Sequence, residues 1–121
     1  MKYEDLYEEF KFCNPEGIKF YEEKEVINFI DESDGPHVTF GMVIVPYILA
    51  CVQKNNIRIV QKIFSFLEDM AMCEDVKINE VLDFTILEQI ADQGHNILDQ
   101  CKQYMGENTL QHCEKVEKYF L

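Results

Sequence analysis

The sequence predicts an all-α protein, built either as a compact helical bundle or as a stack of antiparallel helical hairpins of the armadillo or HEAT kind. Apolar residues recur at helical rather than alternating spacing along nearly the whole chain. Most of the Gly and Pro residues fall between the periodic stretches. The joints are about two to six residues long, a length that favours antiparallel neighbours. At 121 residues the chain suits one core and is too short for two, so residues 1–121 are expected to form a single helical domain.

The first helix is expected over Tyr3 to Phe12, with Leu6, Phe10 and Tyr3 or Tyr7 on one face, and Asn14-Pro15-Glu16-Gly17 ends it. The second runs from about Lys19 to Glu32, placing Phe20, Ile27 and Ile30 inward and Glu22, Glu23 and Glu25 outward. Asp31-Glu32-Ser33-Asp34-Gly35-Pro36 is the clearest linker, because acids, Gly and Pro together oppose helix continuation. A third helix follows from about Thr39 to Lys54. Pro46 inside it removes a backbone hydrogen bond and should bend it. A short strand over Met42 to Val45, rich in β-branched residues, is the competing reading.

Asn55-Asn56 closes that helix and is expected to cap the next, an asparagine oxygen accepting free first-turn amides. Ile57 to Met72 shows two adjacent apolar stripes, Val60, Phe64, Leu67, Ala71 and Ile59, Ile63, Phe66, Met70, so its buried arc is wide. Val76 to Asp92 carries Val81, Leu82, Phe84, Ile86, Leu87 and Ile90 and stops at Gly94. His95 to Met105 turns Ile97, Leu98, Cys101 and Met105 inward and stops at Gly106. Asn108-Thr109-Leu110-Gln111 has the look of a capping box, and the last helix carries Leu110, Cys113, Val116 and Phe120.

Charge excludes more functions than it suggests. Asp and Glu total 23 against 11 Lys and Arg, a formal net charge of -12. Such a field repels nucleic acid and anionic lipid and speeds encounter with basic proteins. It is densest early: residues 1–35 hold eleven acids and four bases, a net of -7, against twelve and seven, a net of -5, in residues 36–121. The acidic N-terminus lacks the basic and apolar regions of an export signal, which points to the cytoplasm. The uncharged stretch from Gly35 to Gln53 is interrupted by Pro36, His37, Thr39 and Pro46, so a buried central helix is expected rather than a membrane span. Cys13, Cys51, Cys73, Cys101 and Cys113 are odd in number and include no Cys-x-x-Cys pair, as suits a reducing compartment. Cys51, Cys101 and Cys113 sit among apolar neighbours and are expected to be small core residues.

No motif for chemistry is apparent, so catalytic residues, metal and cofactor are all expected to be absent. Neither Glu-x-x-His nor His-x-x-x-His occurs, and Gly94 interrupts the pairing of Asp92 with His95. Aligning Gly35 with the glycine of a calcium loop puts Ile30 at the first ligand and Gly41 at the last, which excludes an EF-hand. Phosphate loops, nucleophile elbows and dinucleotide fingerprints are missing. His37, His95 and His112 lie near polar neighbours or helix ends, where surface or capping roles are expected.

Several central segments, taken together, look like a known group. Phe40-Gly41, Pro46-Tyr47-Ile48-Leu49, Ile63-Phe64-x-Phe66-Leu67-Glu68-x-Met70-Ala71, Glu74-Asp75, Val81-Leu82, Leu87-Glu88 and Tyr104-Met105-Gly106-x-x-Thr109 resemble the small helical immunity proteins of bacterial polymorphic toxins, including contact-dependent growth inhibition systems. The resemblance covers about Pro36 to Leu110. It implies an armadillo- or HEAT-like stack that binds a cognate toxin, commonly a basic nuclease, and covers its active site or substrate surface. It carries no binding residues with it.

The expected function is therefore inhibition by binding, with acidic side chains meeting the basic groove of a toxin. Asp69, Glu74 and Asp75 lead the candidate contacts, followed by Asp31, Glu32, Asp34, Glu68 and Asp83, all but Asp83 belonging to acid clusters at turns. An adaptor or scaffold for an endogenous basic protein is the alternative from another class, and a small helical hydrolase with a carboxylate-bound metal is the third.

Overall fold

Helical periodicity is realised over most of the described residues, and departures from it occur at Pro46, at Asn55 and at the early end of the second helix. In the computed structural model residues 1–120 are described, Phe120 by its backbone only, so the inward placement expected for its side chain lies outside the described residues. Seven helices and no strand are present among them. A 3₁₀ turn, Tyr3–Asp5, leads into α1, Leu6–Cys13. A second such turn, Pro15–Gly17, leads into α2, Ile18–Ile27. Then come α3, Pro36–Gln53; α4, Ile57–Met72; α5, residues 76–92; α6, His95–Lys102; and α7, Glu107–Phe120.

Long α3 and α5 each contain a π turn, Phe40–Ile44 and Val81–Leu87. The first absorbs Pro46. Proline has no N–H to offer the carbonyl of Met42, and that oxygen instead accepts the side-chain amide of Asn28 at 3.4 Å. Val45 N–H reaches back five residues to Phe40 O, so the helix continues where a strand over Met42 to Val45 was the competing reading. The π turn in α5 adds a residue and rotates the helix beyond it. Asp83 and Thr85 consequently face inward and Phe84 is half-exposed, the reverse of the expected register.

Leu6, Phe10, Tyr47, Phe66, Leu82, Leu98 and Cys113 belong to one continuous core to which α1 and α3 to α7 all contribute, α2 adding Tyr21. Helix α4 packs on α3, α5 and α7 and also on distant α1, which explains its wide apolar arc. A solenoid helix touches only its sequence neighbours. The bundle is thus the architecture adopted, not the hairpin stack. Helix α3 passes the length and composition test for a membrane span, with mean hydropathy 1.5 over 18 residues, yet 56% of it is buried by the other helices. It is the central helix of the core.

Aromatic rings cement the first four helices. Phe10 meets Phe66, Phe40 and Tyr21 edge-on at 5.2, 5.8 and 6.3 Å, and Tyr21 meets Tyr47 at 5.0 Å. Tyr21 replaces the expected Ile27 as the inward residue of α2. That helix ends at Ile27, about a turn earlier than its periodicity suggests, leaving Ile27 65% exposed. Gly17 makes the aromatic packing possible, because a Cβ there would lie 2.5 Å from Tyr21 Cζ and 2.6 Å from Tyr47 Cζ. The Tyr21 ring cannot simply retreat, since its hydroxyl donates to Asn14 O at 2.7 Å. Gly17→Ala is expected to cost about 2 to 3 kcal/mol by overpacking, read as a lowered midpoint in urea.

Two helix starts are capped differently from expectation. Asn56 precedes α4 without a side-chain cap. Its neighbour Asn55 closes α3 in the left-handed region at φ 54°, with Asn56 N–H bonding Cys51 O and Asn55 N–H bonding Val52 O, a Schellman ending. Nor does the Asn108 segment act as a capping box, because α7 already begins at Glu107 and its free amides are taken by Glu68 of α4.

Candidate functional site

The polar side chains divide into those that hold the fold and those left facing solvent. Glu68 belongs to the first group. Its Oε2 accepts Asn108 N–H at 3.1 Å and Asn108 Nδ2 at 2.9 Å, while Oε1 accepts Thr109 N–H at 2.8 Å and Thr109 Oγ1 at 2.7 Å. Partial burial alone would raise its pKa, but these four bonds outweigh it and bring the carboxyl down to about 2. Gly106 lets the carboxylate approach, because a Cβ there would sit 2.5 Å from Glu68 Cδ. Glu68 is therefore removed from the partner-binding set. Notably, Glu68, Gly106 and Thr109 all come from the motifs behind the immunity-protein resemblance, and here they form one piece of framework.

Asp83 is likewise internal. It is 3% exposed, with Oδ1 2.7 Å from His112 Nδ1 and Oδ2 2.9 Å from Lys115 Nζ. The π turn points it into the seam between α5 and α7, so it offers no charge to a partner and its expected place among the candidate contacts is corrected. His112 is correspondingly a core-edge partner rather than a surface residue. His37 Nδ1 lies 2.6 Å from Thr85 Oγ1, tying the start of α3 to the π turn of α5. Cys51, Cys101 and Cys113 are buried, and all five cysteines are free. Burial, reinforced by Cys113, pushes the Cys101 thiol up to about 12, where it stays protonated and unreactive. Among the described residues no group of three or more His, Cys, Asp and Glu is placed to hold a metal ion.

The solvent-facing acids gather on the N-terminal third. Glu4 of the leading 3₁₀ turn and Tyr7, Glu8 and Lys11 of α1 form a wall of a cleft of about 480 Å³. Glu25, Ile30, Asp31, Glu32, Asp34 and Thr39 complete it. Six carboxylates thus face one ammonium. Lys11 Nζ lies 3.2 Å from both Glu8 and Glu25, and Tyr7 OH donates to Glu25 at 2.5 Å, so Glu25 is met within the protein. Burial and the Glu25 carboxylate push the Tyr7 phenol up, keeping it a donor. Asp31 and Asp34 close their turn: Asp31 Oδ1 accepts Ser33 N–H at 2.8 Å, and Asp34 Oδ2 accepts Asp31 N–H at 2.9 Å. The Ser33 hydroxyl and amide hold Asp31 below the usual carboxylate range, so it keeps its charge.

Asp69 lies across α1 from this cleft, in a hollow it lines with Glu9, Cys13, Phe66 and Met72. Glu74 and Asp75 are exposed in the turn between α4 and α5, where Asp75 also caps α5 by accepting Lys77 N–H at 2.9 Å. The turn acids therefore do not merge along one edge. The Asp31 to Asp34 turn and Asp69 flank α1, and Asp5, Glu8 and Glu9, with Phe12 and Ile18, line a shallow depression between the two hollows. Glu4 and Glu8 were missed from sequence. The charge density of residues 1–35 announced them, but which acids share a wall depends on how α1 is rolled against the core.

Fold and surface together define a small all-helical bundle in which Glu68 and Asp83 serve as framework, while the exposed carboxylates are densest in residues 1–35. Residues 4–120 match the family described as a domain of unknown function, DUF7674, and the chain belongs to that family. No curated protein gives a significant match, and no solved structure does.

Proposed function

We propose that this protein works by binding a basic protein surface, and that the partner is a toxin of the nuclease type which it holds inactive in the cytoplasm. The observation behind the reading is the cleft in which Glu4, Glu8, Asp31, Glu32 and Asp34 converge with Lys11 as the basic side chain in its wall. Carboxylates on a chain of net charge -12 attract lysine and arginine over a Debye length and compete with phosphate for them. The toxin assignment rests on the immunity-protein resemblance of the central helices, and an adaptor for an endogenous basic protein shares the same surface chemistry. Co-expression with the product of the adjacent gene separates the two: a stable complex that abolishes that product's toxicity supports immunity, and a harmless or non-binding product overturns it.

The cleft has its own test. Glu4→Lys, Glu8→Lys and Glu32→Lys combined reverse its charge while leaving the turn-closing Asp31 and Asp34 in place. Association with the basic partner is expected to slow by about tenfold at low salt and to lose most of its salt dependence, in stopped-flow measurements. The fold should persist, each exposed change costing no more than about 0.5 kcal/mol. Unchanged kinetics would move the interface elsewhere.

A further inference from the structure

The end of α2 carries an apolar surface that the core does not use. Val26, Ile27 and Phe29 are 75%, 65% and 89% exposed, and Val38 and Met42 of α3 are also exposed. The two groups adjoin, because Asn28, between Ile27 and Phe29, reaches the backbone of Met42. Phe29 is also in the left-handed region at φ 55°. Ile30 N–H bonds Glu25 O at 2.8 Å and Phe29 N–H bonds Val26 O at 3.3 Å, the same Schellman ending that closes α3. At the equivalent place α3 has Asn55, a residue that tolerates this conformation. For a bulky aromatic the conformation is costly, and glycine would turn the chain just as well. The turn itself is needed to return Ile30 to the core. The ring is not, since it projects into water.

We infer that Val26, Ile27, Phe29 and Met42 are the apolar anchor site for a basic protein segment bearing apolar side chains, the acids of the adjoining cleft engaging its lysines and arginines. This rests on the basic-partner reading and adds the position and chemistry of the anchor. Charge selects the occupant. Glu22 and Glu23 lie one turn before Val26 and Ile27, and Asp31 and Glu32 follow Phe29, all exposed, so the apolar surface has an acidic rim. A second copy of this chain would bring like rims together at a net charge of -12 each, whereas a cationic segment neutralises them. An exposed apolar patch rimmed by polar residues is a common mark of a protein-interaction surface.

The experiment uses the full chain and two fluorescein-labelled peptides of about four helical turns, one of Lys and Leu and one of Lys and Ser with the same charge, followed by anisotropy at low and high salt. The Lys/Leu peptide is expected to bind more tightly. Phe29→Gly should weaken it by about tenfold, toward the Lys/Ser value, while raising the thermal midpoint because the backbone strain is relieved. Phe12→Ala, at an equally exposed aromatic on α1, should change neither. Unchanged Lys/Leu affinity in Phe29→Gly, or an equal loss in Phe12→Ala, overturns the anchor site. If both peptides bind alike and only the Glu4, Glu8 and Glu32 reversals weaken them, the acidic reading survives without the anchor. Binding of neither peptide at low salt overturns both.

Discussion

Asp83→Ala is expected to destabilise the protein by about 3 kcal/mol, the largest effect of any single carboxylate here. The carboxylate is 5% exposed and accepts two charge-assisted or polar bonds, from His112 and Lys115. Such bonds contribute about 1.5 to 3 kcal/mol each when buried, and removing one member of a buried group leaves its partners unsatisfied. The partners are unequal. Lys115 is 52% exposed and can turn to water, so Lys115→Ala should cost less than about 1 kcal/mol. His112 is 18% exposed and loses its acceptor without a ready replacement. At about 4 °C per kcal/mol for a domain of this size, the alanine variant should melt about 12 °C lower by calorimetry. A shift of only a degree or two would mean that water replaces the whole triad at no cost.

Removing the Glu68 carboxylate should cost about 2 to 3 kcal/mol and change how stability responds to acid. It satisfies two amides of the first turn of α7 from a different helix, so both the cap and an α4 to α7 tether are lost together. The folded-state pKa is depressed, from an ordinary 4.5 to about 2. Its contribution is therefore fully present above about pH 4.5 and is lost as pH falls from there through about 2. Across that window the melting temperature of the native protein should fall more steeply than that of Glu68→Gln, and the two curves should converge at the acid end. Parallel curves would show that the carboxylate is as easily protonated folded as unfolded. Gly106→Ala is a second route to the same loss, because its methyl displaces the carboxylate while leaving its charge intact.

The helical content, the order of the elements and most of the inward residues were legible in the chain because each depends on neighbours a few positions away. Phe64, Leu67 and Met70 recur at helical spacing and are buried, and Cys51, Cys101 and Cys113 pack as the small apolar residues their surroundings suggest. Acidity early in the chain was equally plain, being a matter of counting. What tertiary structure alone decided is the fate of each acid. Glu68 and Asp83 read locally as candidate contacts, yet their partners, Asn108, Thr109, His112 and Lys115, lie from 29 to 41 positions away or on the same distant helix. Glu4 and Glu8 became cleft walls, and Phe29 an exposed ring, through the roll of α1 and the early stop of α2. Helical periodicity is a property of adjacent turns, whereas burial and pairing of a charge depend on which other helix arrives beside it, and contacts at that separation leave no mark in local spacing.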